Sequence, residues 1–170
     1  MNPETRLPES AQRVADLLQR IGHGQPVVLL PASGRTSAEA AAGLGCSIAE
    51  IAKSIVFRRL SDDSAVMVVA SGANRVDEHK VAARVGPLGK ADATFVREHT
   101  GYAIGGVCPI GHVRETLVLV DADLLRFTSL WAAAGHPHAV FALSPEELLA
   151  MTGAQVVDVA RRDADDAPPV

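Results

Sequence analysis

Apolar positions recur along this chain with two different spacings. Val14, Leu17, Leu18 and Ile21 follow the i, i+3, i+4, i+7 spacing of an amphipathic helix, with Ser10 as the expected N-cap. Elsewhere the apolar residues form short continuous runs that are typical of strands. In chain order the pattern predicts helix 10–21, strand 27–30, helix 36–44, a short helix from 47, strands 54–60 and 65–70, helices 77–85 and 92–99, strand 116–120, a helical turn 121–127, strands 130–134 and 139–143, helix 144–151 and strand 155–159.

Helices and strands follow one another in mixed order, which predicts the mixed α/β (α+β) class. Strands 54–60 and 65–70 are joined by a turn at Asp62 and Asp63 and should form a hairpin. A chain of 170 residues is most simply one domain. We expect that domain over residues 1–160 and a disordered tail over 161–170, where the sequence is polar and ends in two prolines and a valine.

Composition narrows the cellular context. Apolar residues make up 48% of the chain but aromatic residues only 4%, so the core must be built from Ala, Val, Leu and Ile. No apolar run is long enough to span a bilayer, and the first residues lack the apolar core of a signal peptide. Cys46 and Cys108 form neither a disulfide framework nor a zinc site. We expect a cytoplasmic protein with reduced thiols and no membrane partner.

The net charge of −4 argues against a general nucleic-acid binder, including a DNA binder. The charge is unevenly spread, because residues 53–97 hold eight basic and five acidic side chains. A local landing site for a phosphate backbone and ordinary solvated surface both explain this segment.

The run from Thr100 to His112 contains four glycines and one proline. Helices and strands both disfavour such a run, since glycine loses much backbone entropy on ordering and proline lacks a donor. The segment is either a tight connection or a shaped loop whose free N–H groups bind an oxygen, as an oxyanion hole does. Spacing alone leaves both interpretations open.

Lys53 lies within an apolar segment that runs from Ile48 to Val56. A lysine in such a setting must extend along the surface to water, pair with another group, or face a cleft. The sequence does not decide among the three.

Several chemistries lack their motifs. No Gly-x-Ser-x-Gly elbow is present, and the segment ending at Lys90 fails the phosphate-loop pattern because Arg84 and Ala91 replace its glycine and its Ser or Thr. The six histidines show no metal-ligand spacing, so neither a metal nor a cofactor is expected. Cys108 with His112 as base could make a thiol nucleophile, but the segment has no thiol-enzyme signature.

The run from Thr100 to His112 resembles the signature loop of the YbaK/ProX family of aminoacyl-tRNA deacylases, which includes the editing domain inserted in many bacterial prolyl-tRNA synthetases. The family motif Gly-x-x-x-Pro falls on Gly105 and Pro109, and the family lysine falls on Lys53. The resemblance covers residues 10–160. Further matching segments are 36–46, 76–80, 118–121 and 134–135.

The resemblance implies a largely antiparallel sheet curled into a barrel-like core with helices around it. It also implies hydrolysis of the ester between a wrong amino acid and the terminal adenosine of tRNA, without a side-chain nucleophile. The expected partner is the acceptor end of aminoacyl-tRNA, with a synthetase as an open second partner. The residues assigned to catalysis are Lys53, Gly105, Gly106 and Pro109, and those assigned to substrate binding are Tyr102, Val107, Cys108, Gly135 and His136.

Cys108 departs from the family, since many relatives carry serine before the motif proline. Three other functions stay open at this point. They are a catalytically silent module that binds tRNA or a synthetase, a Schiff-base enzyme that uses Lys53, and a thiol hydrolase that uses Cys108.

Overall fold

The computed structural model describes residues 6–31 and 36–162, and within them an eight-stranded mixed sheet with five α-helices. The expected disorder of the tail beyond Arg162 lies outside the described residues. The helices are α1 (Glu9–Arg20), α2 (Ser37–Leu44), α3 (Glu78–Val85), α4 (Ala93–Thr100) and α5 (Pro145–Thr152), with 3-10 turns at Ile48–Glu50 and Ala122–Arg126. The strands are β1 (Val27–Leu29), β2 (Ile51–Arg59), β3 (Ser64–Ser71), β4 (Leu88–Lys90), β5 (Leu117–Asp121), β6 (Leu130–Ala133), β7 (Ala139–Leu143) and β8 (Gln155–Val157).

The strands run in the order β1-β7-β6-β2-β3-β5-β8, and β4 pairs with the far end of β2. Four pairings are antiparallel, namely β1–β7, β6–β7, β2–β3 and β2–β4. The pairings β2–β6, β3–β5 and β5–β8 are parallel. Across the described residues the path ends at β1 and β8, so the sheet is not closed into a barrel. The mixed class and the mostly antiparallel pairing that the sequence and the resemblance predicted are confirmed.

Strand β3 lies at the centre of the sheet because its side chains are apolar on both faces. Every residue from Ala65 to Ala70 is fully buried, as expected for a strand that is covered on both sides. Met67 and Val69 pack in one cluster with α1 and with the run from Thr100 to His112, called the glycine-rich loop below. Val66 and Val68 pack in another cluster with α3. The loop is therefore held directly against the core of the sheet.

Two local predictions differ from the structure. Ser10 is not the cap of α1, because the helix already begins at Glu9 after Pro8, whose side chain makes no capping bond. Strand β2 begins at Ile51 and not at residue 54. Ala52 and Lys53 already pair with β3, and Ile51 and Ala52 also pair with β6 across some eighty residues of chain. Lys53 consequently lies inside a strand rather than at its boundary.

Candidate functional site

A small pocket of about 170 Å³ lies between β2, α2, the glycine-rich loop and the turn that joins β6 to β7. Its walls are mostly small or aliphatic, and Lys53 is the one charged side chain among the described residues that line it. The lining residues are Leu30, Thr36, Ser37, Ala40, Ile51, Ala52, Lys53, Ser54, Gly105, Val107, Trp131, Ala133, Pro137, Ala139 and Val140. No histidine, cysteine or carboxylate is among them.

Lys53 is half-buried and donates a hydrogen bond from Nζ to the backbone oxygen of Asn74 at 2.6 Å. Burial lowers the pKa of the Lys53 ammonium, and the negative charge of Asp121 opposes that shift. The acceptor is a neutral carbonyl, so no carboxylate is bonded to the ammonium, which has two further protons for a ligand. Of the three sequence-level options for this lysine, the structure therefore shows one that pairs and also faces a cleft.

The amino end of α2 adds a second positive feature to the pocket. Thr36 caps this helix by accepting a hydrogen bond from the Glu39 N–H at 3.1 Å. Thr36 and Ser37 both line the pocket. Unpaired N–H groups and the helix dipole at such an end favour negative charge.

The glycine-rich loop contributes two residues to the lining of the pocket. Gly105 and Val107 both line it, and no described residue accepts a hydrogen bond from the N–H of either. The Gly106 N–H is different, since it donates to the oxygen of Ala103 at 3.0 Å and is used inside the loop. Gly105 and Val107 thus have N–H groups that are not engaged by a described residue, whereas that of Gly106 is engaged within the loop.

Side chains within the loop fix its shape. Tyr102 is buried and donates from its hydroxyl to the oxygen of Ile110 at 2.8 Å. His112 bonds through Nε2 to the oxygen of Cys108 at 2.8 Å. Arg13 on α1 donates to the oxygen of Gly101 at 2.9 Å and lies over the Tyr102 ring. These bonds rigidify the loop from behind the pocket.

Six of the nine predicted site residues do not line this pocket, and four of these six lie in the packing behind it. Cys108 is fully buried, and burial raises the pKa of its thiol to about 12, which leaves it protonated at neutral pH. Tyr102 and Pro109 are likewise buried in the loop. Gly135 packs against the backbone oxygen of Ser10 in α1. The pocket thus brings together Lys53, Gly105 and Val107, which are separated in sequence by about fifty residues.

Gly106 and His136 support the pocket from outside. A methyl group added at Gly106 would lie 2.7 Å from the carbonyl carbon of His136, so the two backbones are in direct contact. The ring of His136 lies 5.6 Å from that of His138. Burial and the neighbouring His138 lower the pKa of His136.

Sequence reasoning missed the opposite wall of the pocket. Pro137, Trp131 and Ser37 line it, and Asn74 holds the lysine. The one local signal for this wall was the Gly-His-Pro-His sequence before β7, which reads equally well as a surface turn. No local sequence pattern indicates the role of Asn74, because that role depends on its backbone carbonyl, twenty-one residues away from Lys53.

A larger groove of about 890 Å³ lies between α1 and α4. Arg6, Arg13 and Arg97 line it together with Glu9 and Asp16, so its charges largely cancel. It contains neither Lys53 nor Gly105. The smaller pocket is the better candidate site, because convergent polar groups in a mostly apolar cavity are what small-molecule sites share.

Comparison with known proteins shows the family of this chain. A family model described as an aminoacyl-tRNA editing domain matches residues 32–151. The chain belongs to this family. Within the described residues the editing domain has no cluster of ligands able to hold a metal ion and no helix that could cross a membrane.

Three relatives of this editing domain extend the match. The protein YwhH of Bacillus subtilis (strain 168), described as uncharacterized, is 34% identical over 131 residues, which span 76% of this chain and 83% of the relative. A solved structure described as a candidate trans-editing enzyme for prolyl tRNA synthetase is 45% identical, with a TM-score of 0.87 over 92% of this chain and 100% of the other. The hypothetical protein APE2540 is 32% identical, with a TM-score of 0.80 over 88% and 99% of the two chains.

Proposed function

We propose that this protein is an aminoacyl-tRNA deacylase that acts in trans on mischarged tRNA. The observation that carries the proposal is the meeting of Lys53 with the free N–H groups of Gly105 and Val107 in one pocket. Membership of the editing-domain family and the likeness to a candidate trans-editing enzyme supply the substrate class.

The proposed chemistry needs no side-chain nucleophile. Water, which the vicinal ribose hydroxyl helps to position, attacks the ester carbonyl, and the negative oxygen that forms accepts hydrogen bonds from Gly105 and Val107. The ester C–O bond then breaks, and the ribose oxygen leaves with a proton. After attack by water the products are the free amino acid and tRNA with an intact 3′ end. Lys53 holds the terminal phosphate or ribose through its two remaining protons.

The volume of the pocket supports a small amino acid as the group that is removed. About 170 Å³ is well below the roughly 300–1,000 Å³ of sites for drug-sized ligands. The alanine-rich walls offer apolar contact, and Ser54, whose buried hydroxyl has no hydrogen-bond partner among the described residues, adds a polar group to them. A small noncognate amino acid fits a pocket of this size and lining. The relation of the 45%-identical structure to prolyl tRNA synthetase supports tRNA-Pro as the tRNA that carries it.

A deacylation panel tests the proposal. Purified protein is mixed with tRNA-Pro charged with alanine, serine, cysteine or proline, and with each cognate aminoacyl-tRNA as reference. We expect rapid loss of the ester from one or more small noncognate pairs and little loss from prolyl-tRNA-Pro. Tight binding without hydrolysis of any pair would instead support a silent tRNA-binding module.

A further inference from the structure

We infer that Asn74 is a positioning residue for Lys53, and that a clamp between two loops fixes Asn74 in place. The clamp consists of the 71–74 loop after β3 and the 121–123 turn after β5. The inference rests on the proposed function, because it concerns how the lysine of that site is presented to substrate.

Asn74 is held from both ends. Its backbone oxygen accepts the Lys53 ammonium at 2.6 Å. Its side-chain amide donates to Asp121 Oδ2 at 2.9 Å and to Asp123 Oδ2 at 2.8 Å. An amide that is bonded to two carboxylates has both of its protons engaged, so the side chain has one orientation.

The carboxylate of Asp121 is the fixed point of the clamp. It is fully buried and accepts bonds from the N–H of Ser71 at 3.1 Å and the N–H of Asp123 at 3.0 Å, besides the Asn74 amide. A buried charge that accepts several hydrogen bonds is costly to disturb, because each lost bond leaves it less compensated. The two loops are therefore joined at their bases.

Asp123 ties the outer end of the clamp to the last described residues. Arg162 donates to both of its oxygens, at 3.0 and 3.3 Å. The carbonyl that receives Lys53 is thus connected through Asn74 and Asp123 to the C-terminal segment.

The arrangement has a specific benefit for a lysine that must hold an anionic substrate. If a carboxylate bonded Lys53 directly, it would neutralise the ammonium and compete with the substrate. Asn74 separates the lysine from Asp121 and Asp123 and offers it only a neutral oxygen. The clamp therefore orients the side chain while leaving its charge available.

The first test observes Lys53 without substrate. The chain has three lysines, at 53, 80 and 90, so protein labelled with ¹³C only in lysine gives three Cε signals. A fixed lysine shows two distinct Hε shifts, whereas a mobile one shows a single averaged shift. We expect two shifts for Lys53 in the wild type and one in Asn74→Ala, with exposed Lys90 as the reference in the same spectrum.

The second test measures single-turnover deacylation of the best substrate from the panel. We expect Asn74→Ala to lower the rate at least tenfold in the wild type and less than twofold in a Lys53→Ala background, because Asn74 acts through the lysine. Ser144→Ala, which removes the cap of α5 on another part of the fold, is the stability control and should leave both readouts unchanged. If Asn74→Ala does not fold, Asp123→Asn weakens the same clamp, and we expect the same changes in smaller size.

Two outcomes would overturn the inference. One is a Lys53 that keeps two Hε shifts in folded Asn74→Ala. The other is an equal loss of rate with and without the lysine, which would make Asn74 independent of Lys53. If the wild type hydrolyses no aminoacyl-tRNA, the proposed function fails, while the Hε shifts still decide whether Asn74 fixes Lys53.

Discussion

The backbone of Gly106 lies directly on the backbone of His136, with room for no side-chain atom between them. This contact joins the glycine-rich loop to the turn before β7, so the loop cannot move away from the pocket without breaking it. Gly105 is one residue earlier, and it is constrained by its backbone conformation and not by close packing. It has a φ of +91°, and a methyl group there would meet nothing closer than Pro137 at 3.9 Å. Two adjacent glycines therefore predict two different mutant phenotypes.

Gly106→Ala should destabilise the fold more than it damages the chemistry. The added methyl would overlap the His136 backbone, and overpacking of this kind costs about 1–3 kcal/mol. Thermal unfolding should show a clearly lowered melting temperature. The rate of deacylation per folded molecule should fall less than in Gly105→Ala.

Gly105→Ala should have the opposite balance. The positive φ costs about 1–2 kcal/mol for a residue with a side chain, but the space around the methyl is open. Distortion of the donors to the oxyanion should lower the single-turnover rate by about 10² to 10³. A mutant that is destabilised but fully active would remove this loop from the catalytic centre.

Lys53→Ala should lower deacylation at least tenfold while the protein stays folded. The side chain is half-buried and bonds only to a backbone oxygen among the described residues, so its removal leaves no carboxylate without a hydrogen-bonded partner. Lys90→Ala is the matched control, because that lysine is exposed on β4 away from the pocket. Near wild-type turnover in Lys53→Ala would exclude the lysine from the mechanism. Trapping of a carbonyl substrate on Lys53 by borohydride would instead indicate a Schiff base.

Cys108→Ser should remain active, and iodoacetamide should not inhibit the wild type. The thiol is fully buried and its pKa is raised to about 12, so almost no thiolate exists at neutral pH. Mass spectrometry of the treated, folded protein should show Cys108 unmodified. Inhibition that tracks with alkylation of Cys108, or an acyl adduct on its sulfur, would establish the thiol hydrolase instead.

Stability should fall in mildly acidic solution through His112. Burial lowers the pKa of this imidazole, which bonds to the Cys108 oxygen within the loop. A depressed folded pKa gives stability that is complete above the unfolded value of about 6.5 and is lost as pH falls toward the folded value. The melting temperature should drop between pH 7.5 and 5.5, and His112→Gln should reduce that drop. His79→Gln on the exposed start of α3 serves as the control, and an equal effect from both variants would contradict the assignment.

Binding of tRNA should weaken with salt along a shallow slope. Residues 53–97 hold eight basic and five acidic side chains in a chain of net charge −4. Two or three phosphate contacts at a single-stranded end predict a slope of log K against log salt of about −1.5 to −2. Fluorescence anisotropy across a salt series measures it, and a slope steeper than about −5 would require a much wider ionic interface.

Local patterns predicted much of this fold, since most helix caps and the β2–β3 hairpin depend on residues close in sequence. Thr36, Asp92 and Ser144 cap their helices, as Thr, Asp and Ser commonly do just before a helix. The start of β2 was wrong because its first residue, Ile51, pairs with β6 and not with β3, and β4 was missed because three residues carry no pattern of their own. Long-range pairing of this kind leaves no local trace.

The same division holds for the site. Lys53 and the glycine-rich loop could be found from the sequence because each differs from its neighbours. Lys53 is a charge among apolar side chains, and the loop is a run unsuited to helix or strand. The burial of Cys108 and the carbonyl of Asn74 were not visible, because both depend on how distant segments pack.

The parallel pairing of β2 with β6 has a consequence for the order in which the molecule is made. The β2–β3 hairpin can form from neighbouring residues, and Lys53 is then already in its strand. The wall with Trp131 and Pro137 arrives only when a segment some eighty residues later joins the other edge of β2. Contacts of such high sequence separation form late, because the intervening chain must first be closed into a loop. During synthesis the nascent chain therefore carries an exposed lysine but no cavity, and the cavity comes into being together with the completed sheet.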